Sequence, residues 1–92
     1  MKQSPDFLLR EVADSLVLVP VGAATDRFPG MITLNETGKF LWEAMETEQT
    51  LDSLVELLLE QYQVESEQAR TDVQAFLKKL CAVGAVITEN PQ

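Results

Sequence analysis

The residue types that most often perform catalysis or bind metals are scarce in this sequence. It contains no histidine and one cysteine, Cys81, so the commonest general base and the commonest metal ligand are missing. There is no glycine-rich phosphate loop, and the serines have no base partner that the sequence identifies. Cys81 has apolar neighbours on a predicted helix, where a lone buried cysteine usually acts as a small hydrophobic side chain. The sequence therefore predicts a protein that is not an enzyme and that holds neither a metal nor another cofactor.

The charge balance narrows the choice of partners. The net charge is -8, and the acidity lies mainly in residues 35–92, which carry four basic and eleven acidic side chains. Nucleic acids and anionic membranes are bound by clustered Lys and Arg, and no such cluster is present. No apolar run approaches the roughly 18 residues of a membrane span. A single cysteine cannot form an intrachain disulfide, which suits a reducing compartment. We expect a cytoplasmic protein that binds neither nucleic acid nor membranes.

The first third of the chain is rich in the β-branched and apolar residues of strands. Strands are predicted over 7–13, 16–21 and 30–34, with a turn at Asp14-Ser15 and a loop from Gly22 to Pro29. Because the connections are short, an antiparallel meander is the natural arrangement of the three strands.

Three helices are predicted in the remainder. Asn35, Thr50 and Ser66 are the predicted N-caps, and Gly84 is the predicted residue that ends the third helix. Apolar residues recur at helical spacing in the second and third helices. The second stripe is Leu51, Leu54, Val55, Leu58 and Leu59, and the third is Ala69, Val73, Phe76, Leu80 and Val83.

These elements define a fold class. We predict a single α+β domain over residues 1–92, in which a three-stranded antiparallel sheet is followed by three helices, as in a winged helix-turn-helix. The segment from Ala85 to Thr88 can pair as a strand or pack as a tail. Residues 1–5 and 89–92 are expected to be frayed.

The third predicted strand is a candidate binding edge. Its sequence holds no proline and no charge, so no residue within it hinders pairing with another chain. A peptide that adds to such an edge gains main-chain hydrogen bonds, and side-chain pockets provide selectivity. The alternative, that a neighbouring element covers this short strand, stays open on the pattern alone. The residues of this edge are Gly30, Met31, Ile32, Thr33 and Leu34.

A mixed stripe runs beside the apolar stripe of the third helix. It lies about 80° to 140° from Ala69 when each residue advances by about 100°. Such a stripe suits one wall of a groove, although it can equally be the solvated border of a wide core stripe. Its members are Arg70, Gln74, Leu77 and Cys81, and the plainer opposite flank holds Gln68, Asp72, Ala75, Lys79 and Ala82.

A winged-helix fold also raises the possibility of a regulatory or DNA-associated module. The third helix would then have to present basic and amide side chains to a DNA groove. Its charges are mixed, with Arg70, Lys78 and Lys79 close to Glu65, Glu67 and Asp72. The charge pattern favours peptide binding over this alternative.

The segment from Ile32 to Glu43 resembles the Leu-Asn-Glu-Thr-Gly-x-x-x-Trp signature of PqqD-like proteins. Downstream positions are similar to three further segments of the family pattern. These are Tyr-x-Val, then Ala-x-x-Asp-Val-x-x-Phe-Leu, and finally a Leu that is followed by Gly-x-Ile. The resemblance extends from about Phe7 to Thr88. The matching downstream residues are Tyr62, Val64, Ala69, Asp72, Val73, Phe76, Leu77, Leu80, Gly84 and Ile87.

The resemblance implies a function. PqqD-like domains are peptide recognition elements of pathways that modify ribosomally made peptides, and the founding member serves pyrroloquinoline quinone (PQQ) biosynthesis. They bind the leader of a precursor peptide as an added strand, with the third helix as the other wall of the groove. They also dock on a modifying enzyme, often a radical S-adenosylmethionine (radical SAM) protein. The resemblance is to the broad family rather than to one pathway. A homodimer also stays open, because an exposed edge can pair with its twin.

Overall fold

The computed structural model of the protein describes residues 1–22, 25 and 30–87. Within these residues the strands over 7–12, 15–20 and 32–34 form a three-stranded antiparallel sheet with the second of them in the centre, and the strands over 2–3 and 86–87 form a second small sheet. The predicted class is confirmed, since the three-stranded antiparallel sheet is followed by three helices. The elements are β1 (Lys2–Gln3), β2 (Phe7–Val12), β3 (Ser15–Pro20), β4 (Ile32–Leu34), α1 (Glu36–Ala44), α2 (Leu51–Gln61), α3 (Ser66–Ala82) and β5 (Val86–Ile87).

The hairpin between β2 and β3 turns one residue earlier than predicted. Val12 pairs with Ser15, so the two turn residues are Ala13 and Asp14. Their φ angles are 47° and 71°. Two successive left-handed residues form a type I′ turn, whose twist matches that of the flanking strands. The predicted limits of both strands therefore shift by one residue at this turn.

Replacing Ala13 by asparagine is expected to stabilise the protein. An L-residue with a Cβ pays about 1–2 kcal/mol in the left-handed region, and asparagine tolerates that region better than alanine. We expect the unfolding free energy to rise by about 0.5–1 kcal/mol and the melting temperature by roughly 2–6 °C. Ala13→Val is the matched control and should lower the melting temperature, because a β-branched residue is strained there. An unchanged or lower melting temperature in Ala13→Asn would contradict the turn geometry.

β4 begins at Ile32, although a strand was predicted over 30–34. The next position of β3 that would hydrogen-bond to β4 is Pro20, which has no N–H to donate. The ladder therefore does not extend to Gly30. The prediction was wrong for Gly30 and Met31, which precede the strand, and the Met31 side chain is 61% exposed.

The N-terminal residues are paired, so the predicted fraying of residues 1–5 is wrong. β1 runs antiparallel to β5. The N–H of Ser4 donates to the carbonyl of Ala85 at 2.8 Å, and the side-chain amide of Gln3 donates to the carbonyl of Trp42 at 2.9 Å. These bonds fasten the start of the chain to the end of α1 and to the segment after α3.

The residues that follow α3 reverse the chain in a well-defined motif. Gly84 has a φ of 80°, which confirms its predicted place at the helix end. The N–H of Ala85 donates to the carbonyl of Leu80 at 2.9 Å and the N–H of Gly84 to that of Cys81 at 3.1 Å, the two bonds of a Schellman motif. The chain then pairs as β5 rather than packing as a tail. The following residues fall outside the described part of the chain: Thr88, the predicted frayed end 89–92 and most of the predicted loop from Gly22 to Pro29.

The first two helices are capped as predicted, and the third is not. The Asn35 side chain accepts a hydrogen bond from the N–H of Gly38 at 2.7 Å. At α2, the predicted cap Thr50 and Ser53 form a reciprocal capping box. The predicted cap of α3, Ser66, is instead its first helical residue, and the preceding Glu65 makes no side-chain capping bond.

The caps at α1 and α3 allow a matched comparison. Asn35→Ala should lower the unfolding free energy by about 1 kcal/mol, because the N–H of Gly38 loses its acceptor. Glu65→Ala should change it little, because that side chain makes no capping bond. Chemical denaturation of both variants measures the two effects. Equal losses in both would show that the Asn35 cap contributes nothing specific.

The core lies between the inner face of the three-stranded sheet and the three helices. The apolar stripes predicted for α2 and α3 supply much of it, and Trp42 of α1 adds to it at 3% exposure. Phe76 and Val83 of the α3 stripe are only half-buried at its border. The largest fully buried side chains are Phe7, Leu18, Leu41, Met45, Leu54, Leu58, Val73 and Leu80.

Candidate functional site

The turn of the β2–β3 hairpin determines which backbone groups of β3 face β4. A two-residue turn is closed by a hydrogen-bonded pair, here Val12 with Ser15. Hydrogen-bonded and non-hydrogen-bonded pairs then alternate along an antiparallel ladder. Ser15 therefore directs its N–H and C=O toward β2. Every second residue from Leu16 onward directs its backbone groups toward β4 instead, namely Leu16, Leu18 and Pro20.

The same alternation assigns the backbone groups of β4. Leu16 lies opposite Leu34, and Leu18 lies opposite Ile32. Leu34 and Ile32 therefore use their N–H and C=O groups to bond β3. Thr33, between them, points its N–H and C=O away from the sheet. β4 is an edge of the sheet in the described part of the chain, so Thr33 presents a donor and an acceptor to an added strand.

The edge strand is held firmly by its neighbours in sequence. The side chains of Ile32 and Leu34 are 3% and 7% exposed, so both anchor β4 in the core. The Thr33 side chain is exposed on the other face of the sheet. The five residues predicted to form the edge thus divide into two core anchors, one residue with outward backbone groups, and the preceding Gly30 and Met31.

A cavity of about 310 Å³ opens where β4 passes into α1, between the start of α1 and the side of α3. Its lining combines an apolar floor with polar groups at the rim. The lining residues are Asn35, Thr37, Gly38, Leu41, Asp72, Ala75 and Phe76.

Gly38 brings α1 close to α3 beside this cavity. A Cβ at Gly38 would lie 3.2 Å from a ring carbon of Phe76 and 3.4 Å from the Cβ of Leu34. A glycine inside a helix costs about 1 kcal/mol relative to alanine, and the close approach of these side chains is a structural reason for it here.

The predicted stripe on α3 lies on the side of α2. The Nη2 atom of Arg70 donates to the Oδ1 atom of Asp52 at 2.7 Å, and Asp52 belongs to the first turn of α2. Leu77 is buried at 7% exposure, whereas Gln74 and Cys81 are exposed. The structure therefore brings Arg70 next to α2 rather than next to the cavity.

The flank of α3 that the sequence analysis set aside is the one that borders the cavity. Asp72 and Ala75 of this flank line it, together with Phe76 of the neighbouring apolar stripe. Asp72 also accepts a hydrogen bond from the side-chain amide of Gln68 at 2.8 Å. Helical spacing distinguishes the two flanks of α3, but it does not indicate which neighbouring element each flank meets.

Cys81 differs from its expected environment. It was expected to be buried among apolar neighbours, but the residue is exposed. Desolvation by nearby atoms raises the pKa of its thiol, and the charge of the N-terminal amino group opposes this in part. The raised pKa keeps the side chain a thiol at neutral pH, and the thiol is a much weaker nucleophile than the thiolate.

The described residues hold no group of three or more His, Cys, Asp or Glu side chains placed to bind a metal ion. In the same residues, no helix has the length and apolar character that crossing a membrane requires.

The sequence and fold were compared with known proteins. The model of the family described as coenzyme PQQ synthesis protein D (PqqD) matches residues 15–86. The structure of TbiB1 in complex with the TbiA(beta) leader peptide has a TM-score of 0.76 and 19% identity, covering 98% of this chain and 99% of that one. Lasso peptide synthetase B1, complexed with the leader peptide, has a TM-score of 0.72 and 18% identity, covering 95% and 96%. At these identities the likeness shows a shared fold. No curated protein sequence is significantly similar to this chain.

Proposed function

Because this chain belongs to the PqqD family, whose model matches residues 15–86, we propose that it binds the leader of a ribosomally made precursor peptide and presents it to a modifying enzyme. The observation that carries the proposal is the outward-facing backbone of Thr33 on an uncharged edge strand. Both similar solved structures are complexes with leader peptides, which supports the same role here.

Strand addition at β4 uses groups that are already in place. The leader would donate to the C=O of Thr33 and accept from its N–H, and each such bond contributes about 1 kcal/mol net. Because Ile32 and Leu34 are held in the core, binding does not have to order the receiving strand. A preorganised edge lowers the entropic cost of binding. Gly30 and Met31 precede β4, and their contact with the leader stays a prediction.

The cavity beside β4 supports a particular wall on α3. We propose that the added strand runs between β4 and the flank of α3 that holds Asp72, Ala75 and Phe76, because these residues share a cavity with the start of α1. Contacts of the peptide with the original stripe stay a prediction. That stripe comprises Arg70, Gln74, Leu77 and Cys81.

The modifying enzyme would supply the chemistry. The chain has no histidine, and its single thiol has a raised pKa. We therefore propose that the protein acts as an adaptor for an enzyme of the radical SAM class or another modifying class, in the cytoplasm. A role in DNA binding is not favoured, because Arg70 of α3 is paired with Asp52 and three acidic residues share or precede that helix.

Isothermal titration with candidate precursor peptides from the genes that neighbour this one tests the proposal. The leader segment and the core segment are titrated separately, with a leader of scrambled sequence as the control. We expect binding to the leader and none to the core segment or the scrambled control. Binding to the core segment alone, or tighter binding to duplex DNA than to the leader, would reject the function.

A further inference from the structure

The outer face of the three-stranded sheet is largely apolar and carries a single charged residue, Arg10. Residues that pair across strands share a face, and Phe7, Leu18 and Ile32 face the core, so the alternate residues face outward. None of these outward residues is acidic, although the chain has 15 acidic side chains among 92 residues. The outward residues are Leu8, Arg10, Val12, Ser15, Val17, Val19 and Thr33.

The rim of this face is apolar and accessible, whereas Val17 at its centre is 5% exposed and Val19 is half-buried. Leu8 is 41% exposed and Val12 is 52% exposed, and Met31, which adjoins the face before β4, is 61% exposed. These are three of the five large hydrophobic residues that are exposed in the described part of the chain. Apolar side chains together with Arg and Met, and a depletion of acidic residues, are typical of the centre of a protein interface.

Arg10 is the one charged residue of the face. It lies opposite Val17, and on its own strand it stands between Leu8 and Val12. The ion pairs found among the described residues join the N-terminal amino group to Glu48 and Arg70 to Asp52, so Arg10 is not engaged in one. An unpaired guanidinium among apolar side chains suits a partner that brings a carboxylate.

We infer that this outer face, defined by Leu8, Arg10 and Val12 with the adjoining Met31, is the docking surface for the modifying enzyme. The matching enzyme surface would be apolar and would carry an Asp or Glu opposite Arg10. The inference rests on the proposed function and adds the location of the second interface to it. A second copy of this chain fits less well, because a two-fold contact would bring two Arg10 side chains together with no acid on either face.

The position of this face suits presentation of the peptide. A strand added to β4 would extend the sheet, and alternate side chains of that strand would then point to the outer side, as Thr33 does. An enzyme on this face would thus contact the protein and the bound leader together. The cavity beside α3 lies on the helix side of the sheet, so the peptide and the enzyme would not compete.

Two variants on β2, far from the β4 edge, test the inference. The probe is a candidate peptide-modifying enzyme, cloned from the genes that neighbour this one and purified, and its affinity is measured by biolayer interferometry. Arg10→Glu and Leu8→Glu should each weaken enzyme binding by about tenfold or more, whereas leader affinity should change by less than about twofold. Glu56→Gln, at an exposed site on α2, is the control and should leave both affinities unchanged. Thermal melts confirm that each variant is folded.

The outcomes separate this inference from the proposed function. If the wild type fails to bind the leader, the proposed function is wrong, and the inference falls with it. Two outcomes with normal leader binding would show that the docking surface is wrong while the proposed function stands. In the first, the enzyme does not bind the protein; in the second, it binds both face variants as tightly as the wild type. Sedimentation of the protein alone should show a monomer. A dimer that Leu8→Glu dissociates would assign the face to a second copy and overturn the inference.

Discussion

Replacing Thr33 by proline is expected to weaken leader binding by at least about tenfold while the protein stays folded. The N–H of Thr33 points to the open edge, so its loss removes a hydrogen bond to the peptide and leaves a peptide carbonyl without its donor. The ladder to β3 keeps its bonds because these are made by Ile32 and Leu34. Proline is tolerated on an edge strand, and it favours an extended preceding residue, as Ile32 already is.

The opposite edge of the sheet provides the matched control. Glu11 of β2 and Leu16 of β3 form a non-hydrogen-bonded pair. The N–H of Glu11 therefore points away from β3, toward the other edge of the sheet. Glu11→Pro therefore removes an equivalent group from the edge that is not proposed to bind peptide. Titration calorimetry with the leader should give normal affinity for Glu11→Pro and for Thr33→Val, which keeps its N–H. Normal affinity in a folded Thr33→Pro variant would exclude strand addition at β4.

The sequence predicted the features that depend on local chemistry. Asn35 and Thr50 cap their helices because a short polar side chain satisfies amides that a helix start leaves unpaired. Gly84 ends α3 because the left-handed conformation there favours glycine. The apolar spacing of α2 likewise placed Leu54 and Leu58 in the core. Each of these predictions needs only the residue and its neighbours in the chain.

Features that depend on the pairing of distant segments were predicted less well. The start of β4 is limited by Pro20, a residue of the neighbouring strand, so no pattern within 30–34 marks it. Pairing of the N-terminal residues requires β5, which lies at the other end of the sequence. A polar start such as residues 1–5 is typical of a frayed end, and only the long-range register shows that it pairs.

The candidate site illustrates the same limit. An edge free of proline and charge was visible in the sequence, and its central residue Thr33 has the outward backbone groups. The wall on α3 was assigned to the stripe with Arg70, because mixed polarity marks the border of a core. Both flanks of a helix have such a border, and the choice between them depends on where α1 and α2 pack. A signal for the other flank was present in Gly38, whose small size lets Phe76 approach.

Two tryptophan substitutions at adjacent positions of α3 should decide which flank meets the peptide. Ala75 and Gln74 are both exposed, and they are neighbours in the helix that point to opposite flanks. Ala75 lines the cavity of about 310 Å³, so an indole at this position would occupy the space in which the leader is proposed to lie. We expect Ala75→Trp to weaken leader binding by about tenfold or more, equivalent to at least about 1.4 kcal/mol. Gln74→Trp should have little effect.

Chemical-shift mapping on the wild type gives an independent reading of the same question. On addition of leader, the amide of Thr33 on the edge strand should move together with those of Gly38, Asp72 and Phe76, which line the cavity where the leader is proposed to lie. The amide of Arg70 should move less, since its side chain is engaged with α2. The opposite result would be loss of binding in Gln74→Trp but not in Ala75→Trp, with the largest shifts on the Arg70 side of α3. That result would place the peptide against the stripe predicted from the sequence. The cavity would then have no part in recognition.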